Sequence, residues 1–580
     1  VIVTNEPDKY AEITDLAPNV PIRHRDELDV VQRELREEPG VSVLIYDQVC
    51  ATEARRRRKR GKLPAIARRV VINEAVCEGC GDCSVQSNCL SVVPVETAFG
   101  TKRQIDQSSC NQDFSCVKGF CPSFVSIEGG QLKKATISAV DRDHWPELPE
   151  PRLPPTKTPY NLLITGVGGT GVITLGALIG MAAHLDGKGI STLDMTGLAQ
   201  KYGAVFSHLR IADRPEDIHA ARIATGEAHA ILGGDLVVSA NPEALSKMLA
   251  GRTRAVVTCT ETPTAEFTQN RDWHFPLDGM KQQLIDALGS DHAQFIDAQH
   301  LASKLMGDAL FANMLLLGYA WQNGLVPISA LALERAITLN GSAIDANRQA
   351  FLWGRRAAVD PQKVAAIAGP LGGQHFVTQT VDELINSRVA HLTAYQDATL
   401  AQRYQHRLAS IRTIGDGTLL RTVATQYARL LAPKDEYEVA RLYSETDFLT
   451  RFGETFEGDF HLSFHLAPPI FSRPGPDGRP QKITFGPWLV PVFKWLAKAR
   501  KLRGSWLDPF RFGHEKTVDR KLLADYEADL DLLSETRGSM ADALSLANWP
   551  SEVRGFGPVR AQAAEKAAKT RETARTALMT

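Results

Sequence analysis

The chain has 580 residues, of which 66 are Lys or Arg and 67 are Asp or Glu, so its formal net charge is −1. Hydrophobic residues make up 43% and charged residues 23%, the ordinary balance of globular proteins, and the length suggests about three to five domains. These values exclude a disordered chain, a collagen-like fibre and a small disulfide scaffold, and the balanced charge argues against nucleic-acid or membrane-surface binding.

The first predicted elements belong to an α/β unit. Residues 1–4 and 41–46 are apolar strand candidates, and residues 26–38 between them carry apolar side chains at helical spacing. The chain starts on Val1 within what reads as a strand, so we expect a segment of a longer polypeptide, and no signal peptide can be read. A basic run at residues 55–60 is typical of a solvated helix face, although such a patch can also attract an acidic partner protein.

Cysteine is concentrated in one part of the chain. There are nine cysteines, and seven of them fall between Cys77 and Cys121. A cluster of this kind in an otherwise cysteine-poor chain indicates metal binding rather than disulfides. We therefore expect a cytoplasmic protein.

The first cysteine motif is Cys77-Glu-Gly-Cys80-Gly-Asp-Cys83, with the spacing C-x2-C-x2-C. Such a loop brings three thiolates to three corners of a cubane iron–sulfur cluster, and a distant Cys-Pro supplies the fourth ligand. Cys121-Pro122 is a pair of that kind. The spacing predicts one [4Fe-4S] cluster on these four cysteines. The alternative is structural zinc, whose sites usually use paired C-x2-C units.

A second, less regular motif follows. Cys110 and Cys116 are separated as the first and third cysteines of C-x2-C-x2-C are, and Asp113 occupies the middle position. With Cys89 as the crossing ligand, the pattern predicts a second cluster with three thiolates and an optional Asp113 oxygen. Oxygen is a harder donor than sulfur, so we expect the iron at that corner to be labile. The alternative is that Asp113 is no ligand and that one cluster alone is stable.

A second α/β unit is predicted beyond the cysteines. Six prolines in residues 146–159 indicate a stiff linker. The strands expected after it are residues 161–166, 190–194, 228–232 and 255–258, followed by apolar-striped helices between residues 302 and 350. From about residue 381 the pattern is mainly helical, with an irregular Pro- and Gly-rich stretch at 460–482 and a weak surface helix at 559–577.

A glycine-rich loop opens this unit. The residues are Gly166, Gly168, Gly169 and Gly171, in the pattern G-x-G-x-x-G between a strand and a helix. Glycines there allow a phosphate to approach backbone N–H groups, and Asp194 after the next strand completes the outline of a nicotinamide site. The motif is weak alone, because the same glycines can simply let a helix pack closely on a sheet. Dinucleotide binding and a structural or other phosphate role therefore both stay open.

Two uncharged stretches have the length of a membrane span. Residues 161–185 and 309–333 contain no Asp, Glu, Lys or Arg over 25 positions. The first contains the glycine loop, and the second is interrupted by Asn323-Gly324 and by Pro327. Both patterns are typical of buried core elements, and we predict no membrane association.

Taken in order, the motifs resemble one family. The motifs are Cys77-Glu-Gly-Cys80-Gly-Asp-Cys83, Gln107-Ser-Ser-Cys110-Asn, Gly119-Phe-Cys121-Pro-Ser-Phe, Gly166-Val-Gly-Gly-Thr-Gly171, Ser207-His-Leu-Arg210-Ile211, Leu317-Gly-Tyr-Ala-Trp-Gln322, Glu457-Gly-Asp-Phe-His461, Leu466-Ala-Pro-Pro469 and Arg554-Gly-Phe-Gly557. Together they are similar to the large fused indolepyruvate ferredoxin oxidoreductases, in their C-terminal half and over nearly all of this chain. The chain departs from the family at Lys201-Tyr202, where relatives often have Arg-Gly or Lys-Gly.

The resemblance implies a multidomain α/β fold. Its parts would be the end of a thiamine diphosphate-binding domain, a ferredoxin-like iron–sulfur insert, a Pro-rich linker, a Rossmann-like gamma domain without a nicotinamide site, and a mainly helical C-terminal domain. The corresponding ranges are residues 1–70, 71–145, 146–159, 160–375 and 376–580.

The resemblance also implies an activity. An indolepyruvate or other aryl 2-oxoacid would be oxidatively decarboxylated to the aryl-acetyl-CoA, with electrons passing through iron–sulfur clusters to ferredoxin. Thiamine diphosphate and Mg²⁺ would be bound by the upstream part of the same polypeptide, and CoA would be a co-substrate. A homo-oligomer is expected. Two alternatives remain, a nicotinamide-dependent iron–sulfur oxidoreductase and a non-catalytic zinc-bearing assembly module.

Overall fold

The computed structural model describes residues 1–59, 61–133, 145–197, 203–261, 264, 266–369, 379–468, 472, 475, 479–511, 513–535 and 539–580. In chain order the described strands are β1 Ile2–Thr4, β2 Ile22–His24, β3 Ile45–Asp47, β4 Arg68–Ile72, β5 Val92–Val95, β6 Lys102–Ile105, β7 Phe124–Leu132, β8 Tyr160–Val167, β9 Gly189–Thr196, β10 Ala204–Ala212, β11 Ala230–Gly233, β12 Arg254–Thr258, β13 Ala293–Ile296, β14 Phe456–Leu466 and β15 Ile483–Phe485.

The described α-helices are α1 Leu28–Glu37, α2 Ala51–Lys59, α3 Asp82–Ser87, α4 Val172–Leu185, α5 Leu236–Ser239, α6 Pro242–Leu245, α7 Glu266–Gln269, α8 Leu277–Leu288, α9 Ala298–Met306, α10 Ala312–Gln322, α11 Ala330–Asn340, α12 Ile344–Val359, α13 Pro361–Ala368, α14 Val381–Tyr395, α15 Ala398–Arg412, α16 Gly417–Leu431, α17 Glu436–Ser444, α18 Arg451–Thr455, α19 Leu489–Lys498, α20 His514–Glu535, α21 Met540–Asn548 and α22 Gly557–Met579.

Residues 1–66, together with residues 111–113, form one compact unit. Its parallel sheet has the order β2-β1-β3, with β1 buried between the other two strands. The predicted first strand and the predicted helix are confirmed. The second predicted strand begins later than expected, because Val41 is 97% exposed and the pairing with β1 starts at Ile45. The basic run lies on α2, apart from Arg60, which is outside the described residues.

The second unit holds the rest of the chain, and its cysteines lie beside an antiparallel sheet. The strand order is β15-β14-β7-β4, so this sheet combines two strands from before residue 133 with two from after residue 455. We call residues 67–110 and 114–133 with β14 and β15 the cysteine module. The expectation of an irregular stretch at 460–482 is wrong for its first part, since Phe460–Leu466 belongs to β14. A register shift between Glu457 and Phe460 interrupts the pattern that would have indicated a strand.

Residues 160–369 form the glycine-loop domain around a six-stranded sheet of order β13-β12-β11-β8-β10-β9. The four predicted strands are confirmed as β8, β9, β11 and β12. β10 was not predicted, and it runs antiparallel between β8 and β9. Helices α4 and α10 cover the sheet with apolar side chains, as expected for the two uncharged stretches. Within the described ranges, no helix is both long and apolar enough to cross a membrane.

The C-terminal helical region, defined here as residues 379–580 without β14 and β15, confirms the expectation of a mainly helical end of the chain. Helices α14 to α16 and α20 to α22 share one core. Aromatic rings form its centre, with Tyr427 between Tyr404 and Tyr526, and Tyr526 edge-on to Trp549. The tail predicted as a weak surface helix is α22, which buries Ala567, Ala574 and Leu578.

Helices α10 and α12 cross at two glycines. A Cβ added to Gly318 of α10 would overlap the carbonyl oxygen of Phe351, and one added to Gly354 of α12 would overlap that of Leu315. The two backbones therefore touch at this crossing, and no side chain larger than hydrogen fits there.

We predict that Gly354→Ala lowers the free energy of unfolding of the glycine-loop domain by about 1–3 kcal/mol, because overpacking forces the helices apart. The matched control is Gly279→Ala on α8, where the new Cβ would meet no described atom within 4 Å. Denaturant unfolding followed by circular dichroism checks both. Equal stability of the Gly354→Ala protein and the unaltered protein would contradict the close crossing.

Candidate functional site

Four cysteines surround one cavity in the cysteine module. The lining of this cavity includes Cys77, Cys80, Cys83 and Cys121. Cys77 and Cys80 lie on the loop between β4 and α3, and Cys83 lies in the first turn of α3. Cys121 lies just before β7. The structure thus brings together the four residues of the first predicted set.

Glycines allow this loop to close. Gly79 and Gly81 have φ angles of +62° and +80°, which favour glycine. A Cβ at Gly119 would lie 2.7 Å from the Cα of Cys83, so the segment carrying Cys121 passes directly against the loop. The sequence Cys-Glu-Gly-Cys-Gly-Asp-Cys therefore provides both the three thiols and the glycines that this backbone path requires.

Asp82 ties the loop to the segment that carries Cys121. Its carboxylate accepts a hydrogen bond from the Phe120 N–H at 2.6 Å and pairs with Arg479 at 3.0 Å. Asp82 is buried, so both contacts offset the cost of taking its charge out of water. This aspartate thus acts in the loop without being one of the predicted ligands.

The thiols of this set are held in an apolar setting. Burial raises the pKa of Cys80 to about 12, and the neighbouring sulfurs of Cys121 and Cys77 add to the effect. Burial also raises the pKa of Cys83. The Gly79 N–H donates to the Cys77 sulfur at 3.3 Å. The Ser123 hydroxyl lies 2.9 Å from the Cys121 sulfur. A positively charged group between these sulfurs would favour their thiolate forms.

The second predicted set is also brought together. Cys116 is buried, and Cys89 and Cys110 pack against the same apolar cluster. Burial raises the pKa of Cys116 to about 12, and the next largest causes are the nearby Cys89 and Cys110. The Asp113 carboxylate, in the N-terminal unit, pairs with the Arg25 guanidinium at 3.1 Å.

No group of three or more His, Cys, Asp or Glu in the described part of the chain is arranged to hold a metal ion. The four thiols of the first set instead line a cavity. A cubane cluster, which is larger than one ion, takes one thiolate at each iron.

The buried carboxylate of Glu78 holds the cysteine loop through ion pairs. Glu78, between Cys77 and Cys80, pairs with Lys434 at 2.6 Å and with Arg429 at 3.4 Å. Burial favours the neutral carboxyl, but Lys434, Lys102 and Arg429 outweigh it, so the pKa of Glu78 lies well below its usual range. The Lys434 ammonium also donates to the Cys77 carbonyl at 3.0 Å.

Lys102 faces the same group. Burial and the charge of Lys434 lower the pKa of Lys102 to about 7, with Glu78 acting in the opposite direction. The contacts of Glu78, Lys434 and Arg429 were not predicted from the sequence. A glutamate inside the cysteine motif was the available signal, but its partners lie more than 350 residues away.

The glycine loop follows β8. Gly169 and Gly171 have φ angles of +110° and +85°, and Gly171 is the N-cap of α4. The buried Asp235 accepts the Val167 N–H at 2.5 Å and the Val238 N–H at 2.8 Å, while burial raises its pKa. The Gly168 N–H donates to the Gly203 carbonyl at 2.8 Å. Part of the loop's hydrogen-bonding capacity is thus used within the domain.

The strand order departs from that of a nicotinamide site. Asp194 lies on β9, and antiparallel β10 separates β9 from β8. A dinucleotide-binding acid follows the strand after the glycine loop within a parallel βαβ unit. Ser207 and His208 are buried on β10, opposite Asp194 and Leu193, which fits a role in the sheet. Lys201-Tyr202 lies outside the described residues.

Residues 161–357 match the family described as pyruvate ferredoxin/flavodoxin oxidoreductase. Indolepyruvate oxidoreductase subunit IorB of Thermococcus kodakarensis is 28% identical over 204 residues, which is 34% of this chain and 96% of that relative. The same subunit of Methanothermobacter thermautotrophicus is 29% identical over 207 residues, or 35% of this chain and 98% of the relative. Residues 161–357 are thus similar to the oxidoreductase domain of this family. The resemblance carried by the motifs is thereby confirmed.

Solved structures of oxoacid ferredoxin oxidoreductases each match about a third of the chain. The gamma subunit of a keto/oxoacid ferredoxin oxidoreductase from Geobacter sulfurreducens is 20% identical, with a TM-score of 0.25, over 34% of this chain and 98% of that one. A 2-oxoglutarate:ferredoxin oxidoreductase from Magnetococcus marinus, solved with 2-oxoglutarate, coenzyme A and succinyl-CoA, is 19% identical with a TM-score of 0.26, over 35% and 31% of the two chains. Residues 381–573 match a family of unknown function (DUF6537).

We predict that Glu78→Gln lowers the free energy of unfolding by roughly 3–5 kcal/mol, because Lys434 and Arg429 are then left with an uncompensated buried charge. Since the pKa of Glu78 is lowered on folding, its contribution is present above the ordinary value of 4.5 and is lost as the pH falls through the lowered value. Denaturant unfolding as a function of pH measures both effects.

The matched control is Glu74→Gln. Glu74 pairs at 3.7 Å with Arg451, whose side chain is 44% exposed, so the loss should stay under about 1 kcal/mol. Equal effects of the two substitutions would show that the Glu78 contacts are worth no more than a surface ion pair.

Proposed function

We propose that this chain is the electron-transfer part of an enzyme that oxidatively decarboxylates indolepyruvate or another arylpyruvate to the aryl-acetyl-CoA and reduces ferredoxin. The observation that carries the proposal is the cavity bounded by four thiols in a chain that also contains the family's oxidoreductase domain. The aryl substrate is supported by the names of the relatives, which are indolepyruvate oxidoreductase subunits.

The first set of cysteines would hold a [4Fe-4S] cluster, which accepts and donates single electrons. The donor chemistry fits, because four thiols face one cavity and burial raises the pKa of Cys80, Cys83 and Cys121. Around it, Asp82 and Glu78 hold the loop, and Phe120 and Phe124 close the walls against water. The residues of this chain thus position the thiols and exclude solvent.

The second set, Cys89, Cys110 and Cys116, would hold a second cluster. Asp113 remains a proposed optional ligand there, and its pairing with Arg25 supports the alternative in which it is no ligand. Two cysteine sets in one small module would let electrons move in steps from the reaction towards ferredoxin.

The remaining assignments follow from the resemblance. Residues 1–70 would complete a thiamine diphosphate-binding domain, residues 71–145 would form the ferredoxin-like insert, and residues 160–375 the gamma domain. Thiamine diphosphate and Mg²⁺ would be bound elsewhere in the same polypeptide, and CoA would be the acyl acceptor. The glycine loop of Gly166, Gly168, Gly169 and Gly171 remains a candidate for a cofactor phosphate, and a homo-oligomer is expected.

We predict that Cys80→Ser removes one cluster, because a serine hydroxyl is a poor substitute for a thiolate at iron. Anaerobically purified protein should contain about eight irons, and the variant about four. The control is Cys259→Ser, whose thiol lies in the core of the glycine-loop domain and not in the cysteine module. Iron and acid-labile sulfide assays with electron paramagnetic resonance measure the result. Zinc in a colourless protein would support the assembly-module alternative instead.

The activity is tested with the complete enzyme. We expect indolepyruvate to reduce a redox dye or ferredoxin in a CoA-dependent reaction, and Asp194→Ala to leave this rate unchanged. Reduction of NAD⁺ that is abolished by Asp194→Ala would support the nicotinamide alternative. Failure of every aryl 2-oxoacid with CoA would contradict the proposal.

A further inference from the structure

Several Lys and Arg side chains from the chain after residue 379 contact the cysteine module. Lys434 and Arg429 reach Glu78, and Arg479 reaches Asp82. In these three cases the cation meets a carboxylate, so its charge is largely offset at the contact. Lys482, immediately before β15, is held differently.

Lys482 contacts one residue beside each cysteine set. Its ammonium donates to the carbonyl oxygen of Val117 at 3.0 Å, and Val117 follows Cys116 of the second set. The same ammonium lies over the ring of Phe124, 4.8 Å from its centre, and Phe124 lines the cavity of the first set. The contacts are with a carbonyl dipole and an aromatic face, which leave the ionic charge in place.

The electrostatic environment agrees with this position. Burial lowers the pKa of Lys482, and the thiols of Cys121 and Cys83 oppose that effect. The Asp82 carboxylate opposes it as well, and so does Cys116 of the second set. One ammonium is therefore close enough to interact with sulfurs of both sets.

We propose that Lys482 is a positioning residue that sets the reduction potentials of both clusters, and that the region of unassigned function contributes this charge to the electron pathway. The proposal rests on the proposed function, since it requires clusters in the two cysteine sets. Lys482, more than 360 positions away from Cys116 in the sequence, would thus help to set the potentials of the two clusters.

The physical reason is the charge of the added electron. Reduction makes a cluster one unit more negative, and the potential of such a site depends on its net charge, its hydrogen bonds and its exposure. A buried cation stabilises the reduced form more than the oxidised form, because charges interact more strongly where water is excluded. Removing the cation must therefore lower the potential.

The test is a redox titration of the full chain, prepared anaerobically, with cluster signals followed by electron paramagnetic resonance. For Lys482→Met we expect both clusters to become harder to reduce, with the ratio of reduced to oxidised form falling at least tenfold at a fixed potential, or ~59 mV for one electron. Lys482→Arg keeps the charge and should restore most of the potential. Lys494→Met, which removes an exposed lysine of α19, should change neither potential.

Iron and labile sulfide are measured first. An unaltered protein without them contradicts the proposed function, whereas a loaded protein whose potentials do not respond to Lys482→Met contradicts the role of Lys482 alone. If Lys482→Met loses its iron, the titration is repeated on Lys482→Gln. Loss of iron from both neutral variants would overturn the proposal, because Lys482 would then be needed for binding the clusters and not for their potential.

Discussion

The buried contact between Glu78 and the cations Lys434 and Arg429 is the constraint on which the cysteine site depends. It joins the loop that holds Cys77 and Cys80 to α16 and to the segment that follows α16. A carboxylate buried in this way is stable only while its partners are in place. The loop that presents Cys77 and Cys80 is therefore fixed by residues of the C-terminal helical region.

The sheet beside the site follows the same principle. β14 pairs with β7 from Phe456 opposite Leu132 to Phe464 opposite Val125, so the cysteine module is built from two distant parts of the chain. The glycine-loop domain also contacts the cysteine module and the C-terminal helical region. The Arg271 carbonyl accepts a hydrogen bond from the Arg103 guanidinium, and the Arg271 guanidinium donates one to the Glu552 carbonyl. The family of unknown function matched by residues 381–573 thus includes β14, one of the strands of the module.

Local patterns were predicted well from the sequence. The cysteine spacing, the glycine loop and the helices have short-range signals, and the four thiols do face one cavity. Long-range pairing could not be predicted in this way. The partners of Glu78, the insertion of β10 between β8 and β9, and the pairing of Asp113 with Arg25 all depend on contacts across the sequence. β14 was also concealed by its bulge and by the proline-rich segment behind it.

We propose that the four thiols of the first set enclose an iron–sulfur cluster. This is tested by anomalous diffraction from crystals grown anaerobically, with data at the iron and zinc absorption edges. We expect iron signal inside the cavity between Cys77, Cys80, Cys83 and Cys121. Signal at the zinc edge alone, or four thiols with no scatterer between them, would contradict it.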